Sequence, residues 1–391
     1  MGGVMPVPAV CGGAIETLIE SVVKKYSNKD GFQLTVFSVY HKEAVEAAKK
    51  YPEVKFVWTH TNSLWNLFKH SFFLTIRGVT GKTPRVLQRH YNEIAPVIQK
   101  KKFDLLIVEG GDEQAVVDIA KGYSRDQLVI HAHIQYHPTE GVAAGYGHMI
   151  GVSDFVVNEY KRTCKSQVDA YTLKNAIDID KFNRIIPEEK KDELRRQLGI
   201  QKDDFVVLYV GRFIQMKGIL ELMEAVLSIK DKRVKLLAIG SANFGKCALS
   251  PYEKKVKKIA SNNRDRIICT GYVNNGKMRN YSALADIQCV PSLCEEAAGL
   301  VVLEAMSAGI PTIITKSGGM IEYATSETSI IIDRKDIIKN LTKGILYLKN
   351  NENVRKQMSE VAKIHSLQYN EDIYYQNFKE IVKKIRKKNR Q

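Results

Sequence analysis

The chain has 391 residues, of which 44% are hydrophobic, and it carries 59 Lys and Arg against 43 Asp and Glu, for a formal net charge of +16. This length exceeds one ordinary hydrophobic core and indicates two domains; the composition excludes a disordered, collagen-like or disulfide-stapled chain, and no apolar window reaches the about 18 residues of a transmembrane helix. The excess of positive charge indicates an acidic partner, which composition leaves open among nucleic acid, an anionic membrane and a phosphorylated small molecule.

Residues 1–11 read as the end of a strand and a loop, with neither a secretory signal nor a preceding strand, so we expect a first strand to be missing. From there on, short apolar runs alternate with segments of helical spacing such as Ala14–Tyr26 and Ile219–Ile229. Strands are predicted, in chain order, at Leu34–Val39, Val54–Val57, Leu105–Val108, Leu128–His133, Phe155–Asn158, Val206–Val210, Val234–Ile239, Ile267–Thr270, Ile287–Val290, Thr312–Thr315 and Ser329–Ile332. Alternating β and α elements predict parallel sheets with helices on both faces.

A charged, proline-containing segment at 182–201 interrupts this pattern, which restarts at Phe205. A linker there divides the chain into residues 1–182 and 183–370 and predicts two doubly wound parallel sheets of similar size. Because open parallel sheets bind ligands at the carboxyl ends of their strands, we expect the two domains to face a shared cleft.

The strongest motif is the segment 291–312, which follows a predicted strand and enters a helix. It places Glu296 in the loop and Glu304 in the first turns of the helix. The free amide groups at the start of this helix would be those of Gly299, Leu300 and Val301. Such a terminus suits a diphosphate, and two carboxylates beside it suit the hydroxyl groups of a sugar and a ribose. The alternative is a solvated helix start whose acidic residues favour the helix dipole.

The loop 209–218 also joins a strand to a helix, and it carries Arg212 and Lys217. Arginine offers a fork and lysine a point charge to phosphate oxygens, so the pair would stabilise a leaving diphosphate without a metal. Two exposed cations near an ordinary turn are the alternative.

Two weaker features lie in the first half of the chain. Gly12 and Gly13 precede a helix and allow close approach of a ligand to the backbone, although a plain tight turn is the simpler account. His131 and His133 end a strand on one face, with His137 beyond. A metal pair has no acidic or cysteine companion near them in the sequence, so we expect a polar contact on the acceptor side or a satisfied structural histidine.

These stretches, in this order and over nearly the whole chain, resemble glycosyltransferase family 4, the retaining group with the two-domain GT-B fold. Glu296 and Glu304 match its E-x7-E motif, and Ser292 and the run after Gly299 match the flanks of that motif. Further matches to the family lie at Gly12-Gly13, Gly211-Arg212, Lys217-Gly218, Asn175–Asp178, Phe182, Asp286–Ser292 and Gly318–Glu322.

By position, the resemblance implies that Arg212 and Lys217 bind the diphosphate and offset its charge on departure. Glu304 would hold the ribose hydroxyls, with the amides of the helix start on the phosphate. Glu296 would contact the donor sugar and face the reacting carbon.

On the N-terminal side, the resemblance implies that Gly13, with Gly12, caps the phosphate and that His133 lies near the sugar and the acceptor. It also implies retention by departure and attack on one face, with the leaving phosphate taking the acceptor proton. No cofactor and no metal are expected. The final helix, 371–391, would pack back on the first domain.

Three features depart from the family pattern. The strand before the glycine pair is missing, and Ala176 replaces a glycine of the hinge stretch. Ala297 and Ala298 stand where an aromatic residue and a glycine often follow the first motif glutamate. This last departure bears on sugar selectivity.

Two basic regions hold much of the charge excess. The segment 61–102 has eight Lys and Arg against Glu93, with aromatic residues between them, and a second cluster, 379–390, closes the chain. The first segment suits an anionic membrane surface, a solvated helix face being the alternative. Six single cysteines without a C-x-x-C pair argue against zinc and favour a reducing compartment. We therefore expect a cytoplasmic protein, peripheral at the inner face of the cell membrane.

The sequence thus predicts a metal-independent retaining glycosyltransferase with a nucleotide-sugar donor, UDP-linked by family habit, and a lipid-linked or glycan acceptor in surface polysaccharide biosynthesis. A GT-B nucleotide-sugar epimerase is the nearer alternative. It differs from a transferase in that it would need no acceptor. A basic nucleic-acid-binding protein is the more distant one, because no recognition motif and no aromatic platform at strand spacing are present in the sequence.

Overall fold

The structure is a computed structural model that describes residues 5–61, 89–135, 140–242 and 249–389. The chain divides into two compact units, one formed by residues 1–175 with 371–391 and the other by residues 176–370. Among the described helices, none is long and apolar enough to cross a membrane.

The first unit alternates strands and helices. Its elements up to residue 175 are α1 (Ala14–Lys25), β1 (Thr35–Val39), α2 (Lys42–Ala48), β2 (Lys55–Thr59), α3 (Arg89–Lys101), β3 (Leu106–Glu109), α4 (Glu113–Ile119), β4 (Leu128–Ala132), α5 (Glu140–Ala144), β5 (His148–Gly151), α6 (Asp154–Thr163) and β6 (Asp169–Thr172).

These strands form two separate parallel sheets within the first unit. Within the described residues, one contains β1 and β2, and the other runs in the order β3-β4-β5-β6. Every residue of β4 and β5 is buried, as expected for strands covered on both faces. Residues 5–13 form no strand and lead through a turn into α1.

The second unit contains one larger sheet. Its elements are α7 (Ile179–Asn183), α8 (Glu188–Leu198), β7 (Phe205–Val210), α9 (Ile219–Ser228), β8 (Val234–Ile239), α10 (Pro251–Asn262), β9 (Ile267–Gly271), α11 (Met278–Ser282), β10 (Ile287–Val290), α12 (Leu300–Ser307), β11 (Thr312–Thr315), β12 (Ser329–Ile332), α13 (Ile337–Asn350) and α14 (Glu352–Ser366). Six parallel strands pair in the order β12-β11-β10-β7-β8-β9.

The core of the second unit lies on both faces of this sheet. Val207 and Leu236, on neighbouring strands, are fully buried against α9 residues such as Leu222. Val206 and Leu237 point to the opposite face and pack in a second buried cluster. Strands buried on both faces are continuous apolar runs, which is why their positions could be predicted closely.

The last helix, α15 (Glu371–Lys388), belongs to the first unit and packs along α1. Lys379 Nζ lies 2.8 Å from Asp30 Oδ1, and Tyr375 donates to Asp30 Oδ2 over 2.6 Å. At the far end of the helix, Lys388 Nζ lies 2.6 Å from Asp169 Oδ2. Part of this basic cluster therefore ties the helix to the unit.

One predicted strand is a helix in the structure. Phe155–Asn158 lies inside α6, which begins where the Ser153 hydroxyl accepts the Val156 amide over 3.2 Å. Val156, Val157 and Tyr160 are buried with helical spacing. The strands β5 and β6 were missed instead, because one contains a histidine and a glycine and the other begins with an aspartate.

The segment predicted as a linker is folded and lies inside the second unit. It contains α8, which ends at Gly199 in the left-handed conformation, and Ile200 packs in a buried cluster of the sheet. The division between the units falls between Asn175 and Ala176. The charged run with one proline is an exposed helix here and not the boundary between the two units.

Candidate functional site

The loops after β7 and β10 are joined to each other at the carboxyl edge of the second sheet. β7 and β10 are neighbouring strands, and the Leu293 amide donates to the Met216 carbonyl over 2.9 Å. Gly218 has φ +69°, and a Cβ at this position would lie 1.9 Å from the Pro291 carbonyl oxygen. Only a glycine allows the two loops to approach this closely.

The approach of the two loops brings Lys217 against Glu296. The Lys217 Nζ atom lies 2.6 Å from Oε1 and 2.8 Å from Oε2 of Glu296. Both side chains keep a part in contact with solvent, 26% for Lys217 and 16% for Glu296. The site thus presents a cation and a carboxylate that already satisfy one another.

Two serines fix the position of Glu296. The Ser292 hydroxyl donates to Glu296 Oε1, and the Glu296 amide donates to the Ser317 hydroxyl over 3.0 Å. The Glu296 carbonyl accepts the Gly319 amide over 2.7 Å. The carboxylate is therefore held from its own backbone and from the loop after β11.

A second ion pair next to this site was missed by the sequence reasoning. Glu295 binds the Arg334 guanidinium through Oε1 and accepts the Gly318 amide at Oε2. Arg334 also donates to the Leu293 carbonyl over 3.2 Å. These contacts fix the loop that carries Glu296. The adjacent glutamates at 295 and 296 were the available signal for this second ion pair. Adjacent side chains point in different directions, so one carboxylate would face the site and the other would need a different partner.

The helix start predicted from the sequence is present. Gly299 is the N-cap residue of α12, so the first amides of this helix, at Leu300 and Val301, lie in its first turn and have no intrahelical acceptor. A Cβ on Gly299 would lie 2.9 Å from Met320, which accounts for a glycine at this cap. The partial positive charge of the helix end lies beside the Glu296 loop.

Glu304 lies on α12, one turn further along, and is partly exposed. Burial of its carboxyl raises the pKa of Glu304 to about 7, although the charge of Lys181 opposes this rise. Near neutral pH the group therefore both accepts and donates hydrogen bonds. Either form is suited to bind hydroxyl groups.

Arg212 lies on the loop after β7 and is exposed. Its carbonyl accepts the Tyr209 hydroxyl over 2.9 Å, which fixes the backbone of the loop and leaves the guanidinium at the surface. Gly211 and the loop after β8 are in close contact, because a Cβ on Gly240 would lie 1.8 Å from the Gly211 carbonyl oxygen. The seven predicted site residues of the second unit thus lie on two loops and one helix start at one edge of its sheet.

In the first unit, Gly12 and Gly13 have φ angles of +78° and +105° and lead into α1. A Cβ on Gly13 would lie 2.1 Å from Glu16 Oε2, so this carboxylate covers Gly13. Burial raises the pKa of Glu16. Glu16 therefore lies over the helix end that the resemblance assigned to a phosphate.

His133 follows β4 and is hydrogen-bonded to a residue that the sequence reasoning missed. His133 Nε2 lies 2.7 Å from Oε2 of Glu109, and His131 Nδ1 lies 2.9 Å from the same oxygen. Glu109 ends β3, in register with His131 of β4. The expectation that these histidines lack an acidic companion is wrong, because the pairing of two strands brings one from 24 residues away in the chain.

The protonation states in this cluster follow from its burial. Burial lowers the pKa of His133 to about 4, with the neighbouring His131 adding to the effect. Burial would raise the pKa of Glu109, but the two imidazoles outweigh it and hold that pKa well below its usual range. At neutral pH a neutral His133 therefore donates its Nε2–H to the Glu109 carboxylate. Its Nδ1 is then the unprotonated nitrogen, which accepts a hydrogen bond.

Glu109, His131 and His133 also have the composition of a metal site, since their ligand-capable atoms lie within 4.8 Å of one another. The contact of 2.7 Å from His133 Nε2 to the Glu109 carboxylate is a hydrogen bond. Two ligands of one zinc ion would stand about 3.3 Å apart. The observed arrangement is that of a carboxylate that orients an imidazole.

Several predicted features fall outside the described residues. These are His137, Cys247, Arg390 and most of the basic segment 61–102, of which residues 62–88 are not described.

Comparison with known proteins finds a family match within the second unit. Residues 190–365 match the family described as glycosyl transferases group 1. The matched segment contains Arg212, Lys217, Glu296 and Glu304, so the geometry described above for the second unit lies inside the part of the chain that is similar to this family.

The names of proteins related to this chain specify different donors and acceptors. A lipopolysaccharide 1,2-N-acetylglucosaminetransferase of Salmonella typhimurium is 31% identical over 200 residues, 50% of this chain and 51% of that protein. A GDP-mannose-dependent monoacylated alpha-(1-6)-phosphatidylinositol monomannoside mannosyltransferase of Corynebacterium glutamicum is 26% identical over 222 residues, 55% of this chain and 56% of that protein. The chain spans about half the length of these curated relatives.

Solved structures resemble the whole chain. A glycosyltransferase from Rickettsia africae has a TM-score of 0.74 at 18% identity, with 96% of each chain covered. Anabaena Alr3699/HepE, in complex with UDP and glucose, has a TM-score of 0.74 at 18% identity, with 95% of this chain and 96% of that chain covered. At this identity the likeness shows the fold, which is GT-B with two Rossmann-like units. The fold class predicted from the sequence is confirmed.

Proposed function

We propose that the chain is a retaining glycosyltransferase that moves a sugar from a nucleotide-diphosphate donor, UDP-linked, to a lipid-linked or glycan acceptor in surface polysaccharide biosynthesis. The observation that carries the proposal is the Lys217–Glu296 pair inside the segment that matches the group 1 family. It sets a cation for phosphate and a carboxylate for sugar hydroxyls next to the start of α12, where amides are available to an anion.

The donor diphosphate is assigned to Arg212, Lys217 and the first amides of α12. Arg212 is exposed, whereas Lys217 is held at 2.6 Å by Glu296. A diphosphate that binds Lys217 competes with the carboxylate for its three N–H donors. Glu296 is then released, at least in part, to accept hydrogen bonds from the hydroxyls of the donor sugar. The pair thus keeps both groups in place before the donor arrives.

The ribose of the donor is assigned to Glu304. This carboxyl lies on the same helix whose first amides, at Gly299, Leu300 and Val301, are assigned to the phosphates. A ribose is joined directly to a phosphate, so one helix start with a carboxyl one turn further in is suited to bind both. A pKa of about 7 lets the group act as donor or acceptor toward the two hydroxyls.

In the proposed reaction, the bond between the anomeric carbon and the phosphate oxygen breaks, and the acceptor oxygen bonds to the same face of that carbon. The acceptor proton passes to the departing phosphate, whose charge Arg212 and Lys217 offset. Neither a metal nor a cofactor takes part. We assign the neutral His133, oriented by Glu109, to the acceptor. Gly12 and Gly13 are assigned to the donor phosphate, which would have to displace the Glu16 carboxylate that covers Gly13.

The acceptor class is proposed from the names of the relatives, which specify lipopolysaccharide and a phosphatidylinositol mannoside. We further propose that the protein is cytoplasmic. Its basic segments would bind the inner face of the cell membrane and not nucleic acid. Flotation of the full chain with vesicles tests this extension. Recovery should need anionic lipid and fall with added salt. Equal recovery with neutral lipid would contradict it.

The proposed function is tested first by donor binding. Thermal unfolding of the purified chain with UDP-, GDP- and ADP-sugars should show a rise in Tm for one nucleotide class. The rise should persist in Lys202→Ala, at an exposed lysine before the amino end of β7, and disappear in Lys217→Ala. Product analysis with an acceptor follows. No response to any nucleotide sugar would contradict the proposal, and isomerised sugar without acceptor would assign an epimerase instead.

A further inference from the structure

Two aromatic rings lie stacked and exposed just beyond the carboxyl ends of β1 and β2. The ring centroids of Tyr40 and His60 are 4.6 Å apart, and the ring planes are inclined by 29°. Tyr40 is 49% exposed and His60 is exposed as well, whereas Val39 and Thr59, the residues just before them, are buried. The Tyr40–His60 pair therefore stands out of the core and forms a small aromatic surface.

The pairing of the two strands sets these rings side by side. Val39 and Thr59 are the last residues in register of the parallel pair, and the Tyr40 amide donates to the Thr59 carbonyl over 2.7 Å. The His60 amide donates to Glu93 Oε2 over 2.8 Å. Both residues of the pair are thus fixed through their backbone amides. Their rings are placed before a ligand arrives, so binding loses less conformational entropy.

The location of the Tyr40–His60 pair is that of a ligand site in an open parallel sheet. In such sheets ligands bind outside the carboxyl ends of the strands. His133, which the proposed function assigns to the acceptor, follows the carboxyl end of β4 in the same unit. The aromatic pair and His133 therefore occupy equivalent positions on the two sheets of the first unit.

The chemistry of the pair suits a neutral sugar ring. The face of an aromatic ring carries partial negative charge. The C–H groups on one face of a pyranose carry partial positive charge, because the ring oxygen and the hydroxyls withdraw electrons from the carbons, and they lie flat against such a ring. The Glu93 carboxylate, which accepts the His60 amide, also accepts hydrogen bonds from hydroxyls and repels a phosphate. This combination favours a saccharide over a nucleotide or a lipid phosphate.

We propose that the Tyr40–His60 pair binds a sugar ring of the acceptor by stacking, so that the acceptor is a saccharide, free or carried by a lipid, and not a small alcohol. This inference rests on the proposed function and names its acceptor class. Tyr40 supplies the exposed ring face, and His60 holds that ring from its other side. Tyr40 is then a specificity-determining residue, because an acceptor without a sugar ring loses the stacking contact.

Saturation-transfer difference NMR of the full chain, without donor, tests this placement. The probes are methyl α-glucopyranoside, methyl α-galactopyranoside and methyl α-mannopyranoside, with glycerol as a polyol that has no ring. Saturation of the aromatic protein resonances should reach the ring protons of at least one glycoside and not glycerol. The signal should fall by at least about 3-fold in Tyr40→Leu and in His60→Leu and persist in Tyr40→Phe, which keeps the ring. Tyr347→Leu, at a tyrosine 51% exposed on α13, is the matched control and should leave the signal unchanged.

No saturation of any of the three glycosides in the wild type, or an unchanged signal in Tyr40→Leu, would overturn the proposal. So would saturation of uridine that depends on Tyr40, because that result would assign the pair to a nucleobase. Loss of flotation with phosphatidylcholine–phosphatidylglycerol vesicles in Tyr40→Leu, with the glycoside signal unchanged, would assign the pair to a membrane surface instead. Since these samples contain no donor, each such result is separate from the donor-binding test of the proposed function.

Discussion

Lys217 contacts both carboxylate oxygens of Glu296, at 2.6 and 2.8 Å, across two loops that leave neighbouring strands of one sheet. The two residues are 79 positions apart in the chain. Each therefore sets the position of the other, and a ligand that binds one necessarily changes the surroundings of the other. The predictions below begin from this pair.

Loss of either partner should abolish transfer with the fold intact. We expect Lys217→Ala and Glu296→Gln each to lower kcat/KM by at least about 100-fold, because each removes a contact to charge or hydroxyls in the transition state. Both side chains are largely covered but keep some contact with solvent, so the free energy of unfolding should fall by about 1 to 3 kcal/mol with the fold retained. Steady-state kinetics and urea unfolding measure the two effects.

The double variant separates pairing from independent action. If the two groups act as one unit, the double variant should be little worse than either single one. Lys202→Ala, remote from the site, should keep wild-type rates. Wild-type rates in both single variants would show that the pair has no part in the reaction.

Gly218 should tolerate substitution by alanine far less well than Gly199, a glycine with the same φ. Gly199 and Gly218 both have φ +69°, but a Cβ on Gly199 meets nothing within 4 Å, whereas on Gly218 it would lie 1.9 Å from Pro291. We expect Gly199→Ala to cost about 1 kcal/mol from the backbone alone and Gly218→Ala to cost at least about 2 kcal/mol more. Urea unfolding of both gives the comparison, and equal losses would mean that the two loops are not in contact.

The raised pKa of Glu304 predicts a pH-dependent stability. Because the folded protein binds this proton more tightly than the unfolded chain, with a pKa of about 7 against 4.5, the stabilisation is complete below pH 4.5. It is lost as the pH rises through 7. Thermal unfolding between pH 5 and 8.5 should therefore show wild type losing several degrees of Tm relative to Glu304→Gln. Parallel curves for the two proteins would contradict this environment for Glu304.

Glu109 is expected to act as a positioning residue through His133. Glu109→Gln replaces a carboxylate, which only accepts hydrogen bonds, with an amide that both accepts and donates, so the His133 tautomer is no longer fixed. We expect kcat to fall by about 10-fold or more while donor affinity stays unchanged. NMR of the His133 ring should show a changed tautomer population in this variant, a readout that a purely structural role would not alter. Reduced donor binding with an unchanged ring spectrum would refute the assignment.

Transfer should survive treatment with a chelator, since the proposed charge stabilisation comes from Arg212 and Lys217. The Glu109–His131–His133 cluster makes this a sharp test, because it is the one group among the described residues with the composition of a metal site. Rates should be equal before and after EDTA. Complete loss that Mg²⁺, Mn²⁺ or Zn²⁺ restores would contradict the metal-independent reaction.

The sequence predicted the second unit more accurately than the first. Its strands are buried on both faces and read as uninterrupted apolar runs, so Val234–Ile239 and Ile287–Val290 were predicted with the observed bounds. In the first unit, a short apolar run at Phe155–Asn158 fits a helix as well as a strand, and β6 is too polar to recognise. Periodicity alone does not separate these cases.

The site could be predicted as a set of residues but not as an arrangement. Local spacing indicated the loop of Glu296 and the start of α12. The pairing of Lys217 with Glu296 and of Glu109 with His133 depends on which strands are neighbours in the sheet, which no local pattern contains. The need for a glycine at position 218 likewise becomes apparent only from its contact with Pro291 in the folded protein.

The most direct test of sugar transfer follows the anomeric proton by NMR during incubation of the full chain with a UDP-sugar and an acceptor. The account predicts that the donor signal decays only when acceptor is present and that the new glycosidic signal has the same anomeric configuration as the donor. Glu296→Gln should show neither change. A product of inverted configuration, or decay of the donor into an isomeric sugar without acceptor, would contradict the account.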